Sequence, residues 1–295
     1  QDVVFDAYRT DVLRAKERGL GAAVSVTGYR IAMLVSGALA LVLAGPLGWR
    51  LTYLLMAGLM MVGVMATLFG QEPEVVSRPP QSLTEAISGP LTEFFERPES
   101  WAFLALIILY KIGDAFAGSL TTAFLIRGPG FSIAEVGAIN KGLGLLATIF
   151  GALYGGVMLA RLGLYRSLMI FGILQAVSNL SFMVLAYAGK VYSIMVAAVA
   201  FENLAGGMGT AAFLAFLMAL CDHRYTATQF ALFSALASLG RIFVGPPSGY
   251  LSHEVGWVIF FFITFLAALP GLILLYKMRQ NVLLLDINYD VNDKN

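Results

Sequence analysis

Charge is scarce in this sequence. Of 295 residues only 13% are Asp, Glu, Lys or Arg, while 59% are hydrophobic. An ordinary soluble domain carries about 25% charged residues. With a mean hydropathy of +0.80, the composition is that of an integral membrane protein. The formal net charge of +1 offers nothing to a phosphate backbone, so no nucleic-acid partner is expected. A single cysteine, Cys221, excludes an internal disulfide and a cysteine-based metal site. The two histidines, His223 and His253, stand at helix ends without ligand spacing, so no metal is expected and no cofactor is implied. No nucleophile–base pattern of a hydrolase or kinase is present, which argues against an enzyme. The chain starts at Gln1 without methionine or a signal-peptide pattern and reads as beginning inside a larger helical unit.

What fills the sequence is long apolar runs. A bilayer span needs about 20 apolar residues, and runs of this kind cover roughly 20–44, 51–69, 101–126, 136–160, 167–188, 191–221, 230–251 and 257–276. Residues 1–13 form a leading helical segment. The expectation is an all-α membrane protein with eight full spans and one leading helix. Residues 71–100 break the pattern with Pro73, Pro79, Pro80, Pro90 and Pro98 and several glutamates. They read as an inter-bundle linker holding an amphipathic helix near 82–95, with Leu83, Ile87, Leu91 and Phe94 or Phe95 as its apolar stripe. The expected units are therefore 1–70 as the remainder of a first bundle, 71–99 as linker, 100–280 as a six-helix bundle and 281–295 as a polar, irregular tail. Basic loop residues such as Arg14, Arg18, Arg97, Arg161, Arg166, Arg224 and Lys277 fall on one side, which the positive-inside rule makes cytoplasmic.

Within the spans the charges are few and therefore informative. Lys111 and Asp114 sit at the middle of span 101–126. Each charge at that depth costs roughly 2.5–3.5 kcal/mol on insertion scales, and three residues apart they can partly neutralise each other. Such a pair either locks packing or lines a polar path. Arg30, Glu202 and Arg241 are likewise stranded inside spans. Asp11 precedes Arg30 by the interval that separates Asp222 from Arg241, with Thr27 and Ser238 in the same register. Two copies running in the same direction on either side of a long linker are what parallel bundle repeats give.

The run Gly155-Gly156-Val157-Met158-Leu159-Ala160-Arg161-Leu162-Gly163-Leu164-Tyr165-Arg166 resembles the G-x-x-x-D/A-R-x-G motif of the major facilitator superfamily, with Ala160 where an Asp is usual. Its glycines suit close helix packing. Gly245-Pro246-Pro247-Ser248-Gly249 suggests a bent gate helix. Longer strings narrow the likeness. QDVVFDAYRTDVL at the front, KIGDAF at 111–116, TTAFLIRG at 121–128, FENLAGGMGT at 201–210 and ATQFALFSALASLGRIFVGP at 227–246 resemble the AmpG family of muropeptide permeases. That resemblance implies a bacterial inner-membrane, multi-pass symporter. It imports anhydro-muropeptides with protons for cell-wall recycling, a process tied to β-lactamase induction. It also implies a monomeric carrier and three further transmembrane helices ahead of Gln1.

A muropeptide carries carboxylates, hydroxyls and acetamido groups. The guanidinium groups of Arg30 and Arg241, one per bundle, suit carboxylates, with Lys111 a further cation. Gln1, Asn203 and Gln229 are expected to offer amide hydrogen bonds to the ligand, or to bond across helices. Proton coupling needs a carboxylate in a partly dry site beside a cation, and the candidates are Asp114, Glu202 and Asp6. Two other readings fit the same residues: a carrier for another large anion such as an acyl-CoA, and a truncated fragment that transports nothing.

Overall fold

Hydrocarbon offers no partner for a bare N–H or C=O, so a chain this apolar can cross a bilayer only with its backbone bonds closed internally. The computed structural model describes residues 2–14, 17–71, 83–222 and 224–292, and every regular element among them is helical. In chain order these are α1 (Asp2–Val12), α2 (Arg18–Met33), α3 (Ala40–Phe69), α4 (Leu83–Glu96), α5 (Ser100–Arg127), α6 (Ile133–Val136), α7 (Gly144–Leu162), α8 (Leu164–Ala188), α9 (Tyr192–Leu220), α10 (Thr226–Lys277) and α11 (Arg279–Asn292). A π-helical stretch, Leu34–Leu39, joins α2 to α3, and another, Gly137–Leu143, joins α6 to α7.

Seven helical stretches among the described residues are long and apolar enough to span a membrane. The longest, α10, has 52 residues, which at about 1.5 Å per residue is more than twice the hydrocarbon thickness of roughly 30 Å. It must be two spans, and Gly256, at φ 74° and ψ 167°, is where they part. Gly48, at φ 72° and ψ 161°, divides α3 in the same way. Both residues reverse the chain in one step through a conformation that a Cβ would strain. Eight span-length arms result, as the apolar runs imply.

Five of the helices supply the second bundle: α5, α7, α8, α9 and the two arms of α10 pack on one another, and α6 with its π-helical stretch extends α7. Aromatic side chains fill it at two levels. One cluster holds Phe103, Tyr110, Phe171, Phe213, Phe216 and Phe233. The other holds Phe124, Phe182, Phe260 and Phe261. Against this bundle α2 lies on α7 and α9, and α1 lies on the first arm of α10. The second arm of α3 is exposed along its length and presents Trp49, Tyr53, Leu54, Met60 and Phe69 outward.

One expectation changes. The end of the chain is helical through Asn292, because Val282 is fully buried and anchors α11 against the bundle. The run 245–249 lies inside α10 with Pro246 and Pro247, and the helix has its one non-helical residue at Gly256. The linker helix α4 covers its expected place. It docks on the bundle end through Phe94, which packs 5.0 Å from Phe233, whereas Phe95 remains exposed and meets Trp101 at 4.9 Å. The side chains of Leu83 and Ile87 lie outside the described residues.

Candidate functional site

Helical spacing gathers the stranded charges on facing surfaces. On α5, Lys111, Asp114, Ala115 and Gly118 recur at intervals of three and four, so they share one face. On α10, Ser234, Ala237, Ser238 and Arg241 do the same, and on α2, Val26, Tyr29 and Arg30. Together with Asp6 and Arg9 of α1 and Glu202, Thr210 and Phe213 of α9, these faces enclose a cavity of about 730 Å³. That volume lies within the 300–1,000 Å³ usual for ligand pockets. Helices from before and after the long linker both contribute to its wall.

The charges divide into paired and unpaired groups. Lys111 Nζ donates to Asp114 Oδ2 at 3.1 Å and to Thr210 Oγ1 at 3.4 Å, and lies 5.9 Å from the Phe213 ring centre. Arg9 pairs with Asp6 at 2.9 Å, and its guanidinium lies 5.4 Å from the Phe230 ring centre. Among the described residues Arg30 and Arg241 form no ion pair, and the buried Nε of Arg30 has no hydrogen-bond partner. Glu202 is held by an amide instead of a cation, accepting from Asn203 Nδ2 at 2.8 Å. Four cations (Arg9, Arg30, Lys111, Arg241) thus face three carboxylates (Asp6, Asp114, Glu202) across one space.

Two of the expected ligand amides are engaged elsewhere. Asn203 lies behind Glu202, with its Oδ1 accepting from Thr148 Oγ1 at 3.0 Å and its Nδ2 donating also to the Val199 carbonyl at 2.9 Å. Gln229 is fully buried at the end of the bundle. It donates to Glu93 Oε2 at 2.6 Å and to the Pro90 carbonyl at 3.1 Å, and accepts from the Asp222 N–H at 2.7 Å. Neither lines the cavity. Gln1 lies outside the described residues. The uncharged polar side chains that do line it are Tyr29 and the small hydroxyls of Ser25, Ser119, Thr210, Ser234 and Ser238, which carry little signal in the sequence. Only Ser238 was marked by the repeat, and its counterpart Thr27 does not line the cavity.

The motif glycines serve contact between helices. A Cβ on Gly156 would lie 2.5 Å from the Gly19 carbonyl oxygen and 2.7 Å from the Ala23 Cβ, and one on Gly155 would lie 2.7 Å from the Met208 Cα. So α7 touches α2 and α9 backbone to backbone. Gly163, at φ 76°, turns α7 into α8. Arg161 and Arg166 flank it as exposed residues. They stand at the end of the molecule rich in basic side chains.

That basic end is closed. Asp11 accepts a 2.7 Å bond from Thr226 Oγ1, which joins α1 to α10. Arg97 binds Glu93 through Nε at 2.6 Å and through Nη2 at 2.7 Å, and donates to the Leu220 carbonyl at 2.7 Å. In the turn between α9 and α10, burial disfavours the Asp222 carboxylate. The side-chain and backbone N–H groups of Arg224, with the charge of Arg97, outweigh burial and hold its pKa below the ordinary value. The neighbouring Cys221 thiol is pushed up by burial.

Residues 2–188 match the family model of the Major Facilitator Superfamily. The chain is 56% identical over 283 residues to the anhydromuropeptide permease of Escherichia coli K12, a match that takes in 96% of this chain and 58% of that protein. To a transporter of the AmpG group from Rickettsia conorii it is 34% identical over 288 residues, covering 95% of this chain and 69% of the relative. The fold also resembles the crystal structure of a bacterial homologue of the iron transporter ferroportin in its outward-facing state. There the TM-score is 0.69 at 14% identity, over 92% of this chain and 66% of that one.

Proposed function

Because this chain belongs to the Major Facilitator Superfamily and, within it, to the AmpG group of transporters, we propose that it forms the central cavity of a proton-coupled importer of anhydro-muropeptides in the bacterial inner membrane. The chain spans 58% of the length of the Escherichia coli permease it matches, so transport belongs to the whole carrier. The observation that carries the proposal is the gathering of Arg30, Lys111, Asp114, Glu202 and Arg241 on one cavity shared by helices from both sides of the linker. Charges are tolerated at bilayer depth when they face water or one another. A 730 Å³ space with one more cation than carboxylate favours a sizeable anion.

The chemistry follows from the pairing. Among the described residues Arg30 and Arg241 carry no counter-ion, and each can form two parallel bonds to a ligand carboxylate. One sits on α2 and the other on α10, so a ligand with two anionic groups ties the two units together. The hydroxyls of Ser25, Ser234, Ser238 and Thr210 suit sugar and acetamido groups. Asp114 and Glu202 are the proton acceptors of the cycle, with Asp6 a third. When Asp114 takes up a proton its attraction to Lys111 is lost, and the ammonium becomes available to the ligand. On the basic-end-inside orientation, the closed end faces the cytoplasm and the cavity is loaded from the periplasm. Residues 1–70 and 100–280 act as the two moving units, 71–99 as the link between them and 281–295 as an appendage. The carrier works as a monomer in the bilayer.

The deciding measurement is uptake of labelled anhydro-muropeptide by the full-length carrier in proteoliposomes with an imposed pH gradient. Asp114→Asn is expected to abolish gradient-driven uptake while leaving ligand binding within about threefold, since the two arginines remain. Uptake with native pH dependence in that variant would make Asp114 a packing residue. The cation excess equally suits another large anion such as an acyl-CoA. Saturable uptake of that compound, with no binding of the muropeptide, would replace the substrate.

A further inference from the structure

Among the described residues Glu202 is the one cavity carboxylate without a cation in hydrogen-bond contact. Its partner is the neighbouring Asn203, whose amide is spent completely. One N–H goes to the Val199 carbonyl at 2.9 Å and the other to Glu202 Oε2 at 2.8 Å, while Oδ1 accepts from Thr148 Oγ1 at 3.0 Å. An amide with all three groups engaged has one orientation. Here that orientation aims a donor at the carboxylate. The brace crosses from α9 to α7, where the single Thr148 hydroxyl proton is shared between Asn203 Oδ1 at 3.0 Å and the Gly144 carbonyl at 2.9 Å. Gly144 is the residue that follows the π-helical stretch Gly137–Leu143, and its missing side chain is what admits the amide. A Cβ there would lie 3.0 Å from Asn203 Nδ2.

Resting on the proton-coupled reading above, we infer that Asn203 is a positioning residue for Glu202. It aims the carboxylate into the cavity, favours its charged form, and links its protonation to α7 at the edge of the π-helical stretch. A proton arriving from the cavity water binds a carboxylate oxygen, and the oxygen that accepted from Asn203 becomes a weaker acceptor. The Asn203–Thr148 brace then slackens where α7 is least regular, and π-helical segments recur at functional sites in helices. The charges bearing on Glu202 are Asp114 and Lys111 from α5 and Lys141 from the π-helical stretch. Arg30 of α2, Arg241 of α10, and Asp6 and Arg9 of α1 face the same cavity.

The test is the pH profile of uptake by the full-length carrier in proteoliposomes, with surface expression measured alongside. Removing a donor from a carboxylate makes it hold its proton to higher pH. Asn203→Leu is expected to move the midpoint upward by about one pH unit, the equivalent of one bond to a charged group. Thr148→Val and Gly144→Ala leave Asn203 in place and disturb only its seat, so they shift the midpoint the same way by less. They decide the matter if Asn203→Leu does not reach the membrane. In Glu202→Gln the shift from Thr148→Val disappears. Unmoved midpoints in Thr148→Val and Gly144→Ala, with Glu202→Gln uncoupled from pH, would overturn the role of Asn203 and leave the proton reading standing. Native pH dependence in Glu202→Gln would instead overturn Glu202 as a proton site, and this inference with it.

Discussion

Arg30 and Arg241 occupy the same place in two helices that follow acids at the same spacing, and both end on one cavity. An arginine that faces water between helices keeps part of its hydration, while one with a buried, unpartnered N–H loses it. Arg30 is of the second kind, with its Nε covered and unbonded, whereas Arg241 is exposed. A ligand carboxylate therefore gains more at Arg30. A hydrogen bond to a charged group contributes about 1.5–3 kcal/mol, so Arg30→Gln should weaken muropeptide binding about 10- to 100-fold by equilibrium titration, and Arg241→Gln by less. Equal, small effects in both would mean that neither touches the ligand. The charged residues of this site were legible because the cost of burial makes any charge inside a span conspicuous. The amides were not. Asn203 and Gln229 look like ligand donors in the sequence, but an amide whose donors and acceptor are all satisfied costs little to bury. Which face of a helix it serves depends on packing that apolar sequence on all sides does not encode. The hydroxyls of Ser25, Ser234 and Thr210 were silent for the related reason that Ser and Thr inside a span routinely bond their own helix.

Contact between helices turns on a few missing side chains. Gly156 brings α7 against α2, and a methyl group there would strike the Gly19 carbonyl and Ala23, neither of which can rotate away. Overpacking of this kind costs about 1–3 kcal/mol, so Gly156→Ala should lower the apparent melting temperature in detergent by about 2 °C or more. Gly206→Ala is the matched comparison, because its Cβ would meet nothing within 4 Å. It should be neutral or slightly stabilising through helix propensity. A similar fall in both would mean that the contact of Gly156 with Gly19 and Ala23 is not what sets the cost. The turn between α9 and α10 carries a pH dependence of its own. Arg224 holds the Asp222 pKa below the ordinary value, so the turn's contribution is complete above about pH 5, where an unfolded Asp is charged. It fades as pH falls through the folded pKa. Melting of Asp222→Asn should fall less steeply from pH 5 to pH 3 than that of the native protein, and parallel curves would remove Asp222 from the account. The element boundaries themselves were readable, since a run of some 20 apolar residues has one way to satisfy its backbone in lipid. The helical end of the chain was not, because its polar composition conceals that Val282 is buried against the bundle.

At the scale of the whole molecule, the two sides of the cavity are held together by α2 packed on α7 and α9 and by α1 packed on α10. Part of that hold, at the basic end, is identifiable residue by residue. Asp11 and Thr226 share a 2.7 Å bond across the units, Arg9 reaches over Phe230, and the Gly19–Gly156 contact lies beside them. A bond between a hydroxyl and a carboxylate is worth about 1.5–3 kcal/mol, and every 1.4 kcal/mol is a tenfold change in an equilibrium between two arrangements. Thr226→Val keeps the volume and removes the bond, so the arrangement open at the basic end should become at least about tenfold more populated. Cys221 reports this directly. It is the only cysteine in the sequence, it is 4% exposed, and it lies at the closed end, five residues before Thr226. A membrane-impermeant thiol reagent applied from the basic side should label it about tenfold faster in Thr226→Val than in the native chain, and saturating muropeptide should alter the rate in both. An unchanged labelling rate, in a variant that still binds ligand, would show that the closed end is held by glycine packing and not by the Asp11–Thr226 bond. Gly156→Ala should then be the substitution that opens it.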